Sequence, residues 1–200
     1  MSSSSQGLDP NDSPQLCPPH HTAAECGIHF THPHPYTSYT SLSAQLRTVF
    51  HFIQSLREWD FELLEGTLSE EFRMEVLPRS LGIPGRGKEE WVRTCREGNV
   101  LEPGYRLDIM DINESPGRIW IHATVHARAK TGQSYENEYL LMFRLTTPDE
   151  ESGTPKILEL KEFMDSLYIT NFALDVGRRG GGKGAGKVSA FRGRRRWVID

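Results

Sequence analysis

RIWIHATVHARA, residues 118–129, changes character at every step: Ile119, Ile121, Ala123, Val125 and Ala127 are apolar, and Trp120, His122, Thr124, His126 and Arg128 fall between them. Successive strand side chains point to opposite sides, so a period of two predicts a strand with one face in a core and the other toward water or a partner. The small Ala123 and Ala127 fit either room left on the inner face, which makes Ala123 a candidate lining residue of a ligand cavity, or close packing of a helix against the strand. His122 and His126 belong to the opposite face, where an exposed sheet surface carrying Trp120 predicts a homodimer contact. On either side the same period recurs in YRLDIMDI (105–112), YENEYLLMFRLT (135–146) and KILELKEFMD (156–165). The links SPG, KTG and PDEESGTP are short and made of turn residues, so these four strands should pair antiparallel as a meander.

Upstream the period changes to that of a helix. Leu42, Leu46, Val49, Ile53 and Leu56 recur at steps of four and three after Ser41, a plausible N-cap, and His51 and Trp59 lie off that stripe, where a surface position is expected. A second helix is predicted from Asp60, through Phe61, Leu64, Leu68 and Phe72, with Gly66 weakening it before LSEEF. RMEVLP then reads as a strand stopped by Pro78, and SLGIPGRG as turns. KEEWVRTCREG (88–98) reads as a third helix, with Glu89 and Glu90 in its first turn and Gly98 at its end. SLYITNFALD (166–175) fits either a short helix or a strand extension. Helices followed by a meander predict an α+β domain whose helices cover one face of a sheet.

The 200 residues suffice for one such domain, placed at 41–176. Residues 1–40 are rich in Ser, Pro, His and Thr, and residues 177–200 in Gly and Arg. Neither can bury enough apolar surface to offset the entropy of ordering, so both are expected to be disordered tails. Eight of the 23 basic residues and one of the 27 acidic ones lie in 177–200, which leaves 15 basic and 26 acidic residues in 1–176. An acidic body carries a basic string. There is no apolar run of membrane-spanning length and no signal-like run in the first 30 residues, so a cytoplasmic protein is expected. Cys17, Cys26 and Cys95 make no disulfide framework.

Three segments carry a more specific resemblance: EEFRMEVLPRSLGIPGRGKEEW (70–91), YENEYLLMFRL (135–145) and KILELKEFMDS (156–166). With the helices-then-sheet order of residues 41–165, they resemble the SnoaL-like branch of the nuclear transport factor 2-like superfamily. Within it they are similar to a fungal subgroup associated with polyketide and meroterpenoid metabolism. The resemblance implies a cone: a strongly curved antiparallel sheet with about three N-terminal helices in its concave face and a pocket inside. It also implies acid–base chemistry without metal or cofactor, in which a pocket carboxylate or His moves a proton beside a carbonyl and hydroxyl groups steady the enolate oxygen. The carboxyl needs its proton affinity raised by apolar walls to work near neutral pH. By the same resemblance Asp165, at the end of the last strand, is the expected proton shuttle. An N-cap for SLYITNF is its competing reading. Glu138 and Glu162 would assist, or lie on a solvated face near Lys161 and Arg144. His126 is a lesser catalytic candidate, and Tyr139 and Tyr105 would bind and orient the substrate oxygen.

The expected function is therefore an isomerase or cyclase of secondary metabolism acting on an apolar carbonyl compound, with a non-catalytic dimeric ligand-binding or protein-interaction module as the alternative. Two further features point to other partners only weakly. Cys17, His20, His21, Cys26, His29, His32 and His34 are zinc-friendly residue types, but they match no finger spacing, and no metal site is expected. The basic tail, with Phe191 and Trp197, predicts at most a weak, non-specific nucleic-acid contact.

Overall fold

The computed structural model describes residues 27–32, 42–98, 100–147 and 154–179. The expectations for the His- and Cys-rich segment, except at His29 and His32, and for the basic tail beyond residue 179 lie outside the described residues.

The alternating stretch forms β5 (Arg118–Arg128), which sits in the interior of the sheet between β4 and β6. β4 (Arg106–Ser115), β5, β6 (Ser134–Leu145) and β7 (Ile157–Met164) pair antiparallel in chain order, the expected meander. The β4–β5 turn consists of Pro116 and Gly117, and Gly117 takes the positive φ of 72° that residues with a side chain rarely adopt. Three strands from earlier in the chain complete a curved, open, mixed sheet of seven strands in the order β1-β4-β5-β6-β7-β2-β3. β1 (Ile28–Phe30) runs parallel to β4, β2 (Leu68–Leu77) runs parallel to β7, and β3 (Arg86–Gly87) pairs antiparallel with β2. β1 lies inside the segment expected to be a disordered tail. Ile28 is buried and its register on Leu107 is fixed, so backbone pairing orders a segment whose own composition does not. Register shifts within β2, at Ile109/Asp111 and at Arg144/Leu145 are the irregularities that let the sheet bend.

α1 (Ala44–Glu58) is the expected first helix, capped by Ser43, whose hydroxyl accepts from the Leu46 amide at 3.0 Å. Its buried stripe includes Leu46, Val49 and Ile53. It is wider than the spacing suggested, because Phe50, His51 and Phe52 are buried too. Phe52 meets Phe143 of β6 edge-on, with ring centroids 5.7 Å apart. Trp59 closes the helix in the left-handed conformation, and the Lys130 ammonium lies 4.5 Å from its ring centre.

α2 (Phe61–Thr67) is shorter than its periodicity implied, and LSEEF begins β2. The step of four from Leu68 to Phe72 satisfies strand parity as well as the helical count, the steps of two on to Met74 and Val76 suit a strand alone, and all four side chains are buried. α3 (Lys88–Gly98) matches its expected bounds and buries Trp91 and Val92. A fourth helix, α4 (Ser166–Arg179), settles the segment left open by its sequence. None of the helices among the described residues is long and apolar enough to cross a membrane.

Candidate active site

The helices and the sheet leave an apolar cavity of about 400 Å³ between them. Met74 and Val76 of β2, Trp91 and Cys95 of α3, Met164 of β7 and Ile169, Phe172 and Val176 of α4 supply most of its wall. The polar groups are few: Arg86, Thr94, Glu102, Tyr105, Tyr135, Tyr139 and Glu162. A mostly apolar concavity with a small convergent polar set is the form that small-molecule sites take.

Glu162 is the only carboxylate carried on a strand of this wall. Along β7 it follows buried Leu160 and precedes buried Met164 at steps of two, so strand parity turns it inward. Enclosure away from bulk water disfavours its charged form and raises its pKa from 4.5 to about 7, although the nearby Arg86 guanidinium pulls the other way. Its charge is felt across the cavity, pushing up Cys95, Tyr105, Tyr135 and Tyr139 in addition to their own burial. Burial is the larger cause in each case. It takes the Cys95 thiol and the Tyr135 phenol to about 12 and holds Tyr105 and Tyr139 above the ordinary tyrosine range. Near neutral pH the cavity therefore contains one titrating carboxyl among neutral phenols and a neutral thiol.

The phenols are not equivalent. The Tyr105 hydroxyl donates to the Ile53 carbonyl of α1 at 3.3 Å. Tyr135 and Tyr139 are hydrogen-bonded to each other through their hydroxyls, and the Asn137 side-chain amide donates to the Tyr135 oxygen at 3.2 Å. Tyr135, Asn137 and Tyr139 share the inner face of β6 by strand parity, a signal already present in YENEY. If Tyr135 gives its proton to Tyr139, the Tyr139 proton is left free for a ligand.

Other residues singled out in the sequence lie elsewhere. Asp165 is exposed and caps α4, its carboxylate accepting from the Leu167 and Tyr168 amides at 2.9 and 3.0 Å. It does not line the cavity. One residue beyond Met164 the strand has ended, and the carboxylate turns to the unpaired amides of the helix start. Glu138 lies on the outer face of β6, where it is 64% exposed and 2.5 Å from His122. His126 is also on the outer face, with its ring between Asp108 at 3.1 Å and Glu136 at 3.3 Å. Lys161 and Arg144 pair with Glu159. Ala123 is fully buried in the core, outside the cavity lining. Arg86, Trp91 and Tyr135 line the cavity without a sequence signal that marks them as site residues. Arg86 sits in what reads as turn chemistry, and only the edge pairing of β3 aims it inward. Among the described residues, no group of three or more His, Cys, Asp or Glu side chains is arranged to hold a metal ion.

The chain matches no protein-family model. It is similar to the monooxygenase AacuO of Aspergillus aculeatus, 27% identical over 143 residues that cover 68% of this chain and 82% of that protein. It is also similar to the monooxygenase AgnL5 of Paecilomyces divaricatus, 29% identical over 67% of this chain and 81% of that protein. Among solved structures, the BvnE pinacolase of Penicillium brevicompactum superposes with a TM-score of 0.54 at 23% identity, covering 65% of this chain and 92% of that one. PrhC of Penicillium brasilianum gives 0.55 at 18% identity, covering 72% and 96%. A SnoaL-like protein from Shewanella putrefaciens gives 0.54 at 10% identity, covering 68% and 89%.

Proposed function

We propose that this chain, whose fold is that of SnoaL-like proteins in the nuclear transport factor 2-like superfamily, is a metal-independent isomerase or cyclase of fungal secondary metabolism. The fold is of the cyclase and isomerase type. The observation that supports catalysis most is a single carboxyl, Glu162, held near pH 7 in an apolar cavity beside phenols that remain protonated.

In this reading Glu162, as the carboxylate, removes a proton from the carbon beside a substrate carbonyl. The electron pair moves onto the carbonyl oxygen, which accepts the free hydroxyl proton of Tyr139 in a hydrogen bond. Apolar walls strengthen that bond, because no water competes for the developing charge. Return of the proton from Glu162 to a different carbon gives an isomer. Attack of the enolate carbon on a second electrophilic centre closes a ring, and the proton goes to the oxygen formed there. A base whose pKa lies near the working pH is well matched to both half-steps. Asp165 acts on the site indirectly, by starting the helix that roofs it.

The test is deuterium exchange from heavy water into the α-carbon of apolar cyclic ketones such as tetralone, which needs no knowledge of the natural product. The full chain should accelerate exchange, and Glu162→Gln should lower the rate by a factor on the order of 10² to 10⁴. Ketones that bind without exchanging faster than in buffer would favour the non-catalytic binding module. Oxygen uptake tied to substrate loss would instead favour the activity in the relatives' names. The reading includes a homodimer through the outer sheet face, where Trp120 and Phe163 are each 48% exposed. Light scattering of the full chain should give twice the monomer mass, and Trp120→Glu should halve it. A monomeric mass for the native chain would remove the dimer from the proposal. Weak nucleic-acid contact by the basic tail remains a separate proposal.

A further inference from the structure

Arg86 has a chemical position that the acid–base step leaves unexplained. Its guanidinium carries five donors, its side chain is only 18% exposed, and it lines the cavity. Among the described residues its ion-pair partner is Glu90, at 3.9 Å, with a side chain 53% exposed. That separation is too long for a hydrogen bond. Half-buried guanidinium groups are normally held by carboxylates or carbonyls in close, often paired, hydrogen bonds, because desolvation is costly otherwise. No such bond is made here to a described residue. By contrast, the Arg57 guanidinium of α1 donates to the Tyr105 carbonyl and the Gln54 side chain, each at 2.7 Å.

We propose that Arg86 is the receptor for an ionised oxygen on the ligand, so that the cavity selects compact, apolar, ring-based molecules bearing a carboxylate or another acidic oxygen. The inference rests on the acid–base reading of the same cavity and names the substrate class for it. The two ends of the site then have different tasks. Arg86 at β3 holds the anionic end, the ring system lies against Trp91, Met74, Val76, Ile83, Met164 and Phe172, and the reacting carbonyl reaches Glu162 and Tyr139.

The charges facing this position define how the affinity should vary with pH. Arg86 comes from β3, Glu162 from β7, Cys95 from α3 and Tyr135 and Tyr139 from β6, while Glu102 and Tyr105 come from the segment before β4. Cys95 and the three phenols are neutral near pH 7, and Glu90 and Glu102 are exposed carboxylates. Glu162 is the group that changes charge there. When it is protonated, Arg86 faces the cavity without a buried counter-charge. When it ionises, it competes with the ligand for the guanidinium. Binding of an anion is thereby coupled to retention of a proton on Glu162.

Equilibrium binding of two non-reacting probes of nearly equal shape, naphthoate and acetylnaphthalene, to the full chain by titration calorimetry tests this. The first is ionised and the second neutral over the whole range used. At about pH 6 naphthoate should bind about tenfold more tightly than the ketone, the usual worth of a hydrogen bond to a charged partner. Raising the pH to about 8.5 should weaken naphthoate several-fold and leave the ketone unchanged, as Glu162 loses its proton. Arg86→Gln should remove the preference for the anion while retaining ketone binding, Arg86→Lys should keep part of it, and Glu162→Gln should keep it and abolish its pH dependence. Equal affinity of the native chain for both probes would overturn the inference without reference to any variant. So would undiminished anion preference in Arg86→Gln. Either result leaves deuterium exchange as an independent reading of the acid–base site, and loss of exchange with intact anion selectivity would remove the chemistry and keep the receptor.

Discussion

Glu138 and Glu162 lie on adjacent strands of one sheet, and both were plausible partners in a proton transfer. Glu138 extends from the outer face of β6 and meets His122 in a position open to water. Glu162 extends from the inner face of β7 and is surrounded by apolar side chains and phenols. The chemistry of the group is the same in both places, so the difference is entirely one of surroundings. Water reaches one carboxylate freely, whereas enclosure raises the pKa of the other to about 7. The parity of a residue along its strand decides which of these a glutamate becomes.

The largest expected effect sharpens that contrast. Glu162→Gln should reduce α-carbon exchange by a factor on the order of 10² to 10⁴, and Glu138→Gln should leave it within about twofold. If both substitutions cost the same, the two faces do not differ in the way proposed.

A second, opposite effect should appear in stability. The unfolded chain holds the Glu162 proton with a pKa of 4.5 and the folded chain with one of about 7. Because the folded value is the higher one, the contribution is fully present below about pH 4.5 and is lost as the pH rises through 7. At about 1.4 kcal/mol per unit, and allowing for partial access of water through the cavity, the loss is on the order of 2–3 kcal/mol. Glu162→Gln has no proton to lose. In paired urea titrations the variant should match the native chain at about pH 4.5 and exceed it by that amount at about pH 8.5. A native chain at least as stable as the variant at the higher pH would place Glu162 in a far more polar setting than its neighbours suggest.

Much of the frame was legible because it is periodic. The alternation of residues 118–129 is borne out by a strand with buried Ile119, Ile121 and Ala123, and KEEWVRTCREG became a helix with the bounds its charges and glycine suggest. The edge strands were less legible. β1 has no periodic signal in three residues and is ordered by its partner, while the even spacing of Leu68 and Phe72 suits helix and strand alike. The site was harder still, since it depends on where β7 stops. KEFMD places Glu162 and Asp165 three residues apart, and opposite parity, followed by a helix start, sends one carboxylate into the cavity and the other to two backbone amides. Arg86 could not be found by pattern at all, because a two-residue strand aims it.

Asp165 carries the smallest expected effect, and there an expected proton shuttle stands against an observed cap. A cap acts through an acceptor oxygen, and asparagine retains one. Asp165→Asn should therefore cost only a few tenths of a kcal/mol and preserve exchange, whereas Asp165→Ala should cost about 1 kcal/mol as the Leu167 and Tyr168 amides lose their partner. The alanine variant should also weaken ketone binding modestly, since Ile169, Phe172 and Val176 reach the cavity from the helix that Asp165 starts. A proton shuttle behaves in the opposite order: asparagine, which cannot carry the proton, would be as damaging to exchange as alanine while leaving the melting curve almost unchanged. Thermal melts and exchange rates measured on the same two variants separate these roles, because a cap ties rate to stability and a shuttle does not.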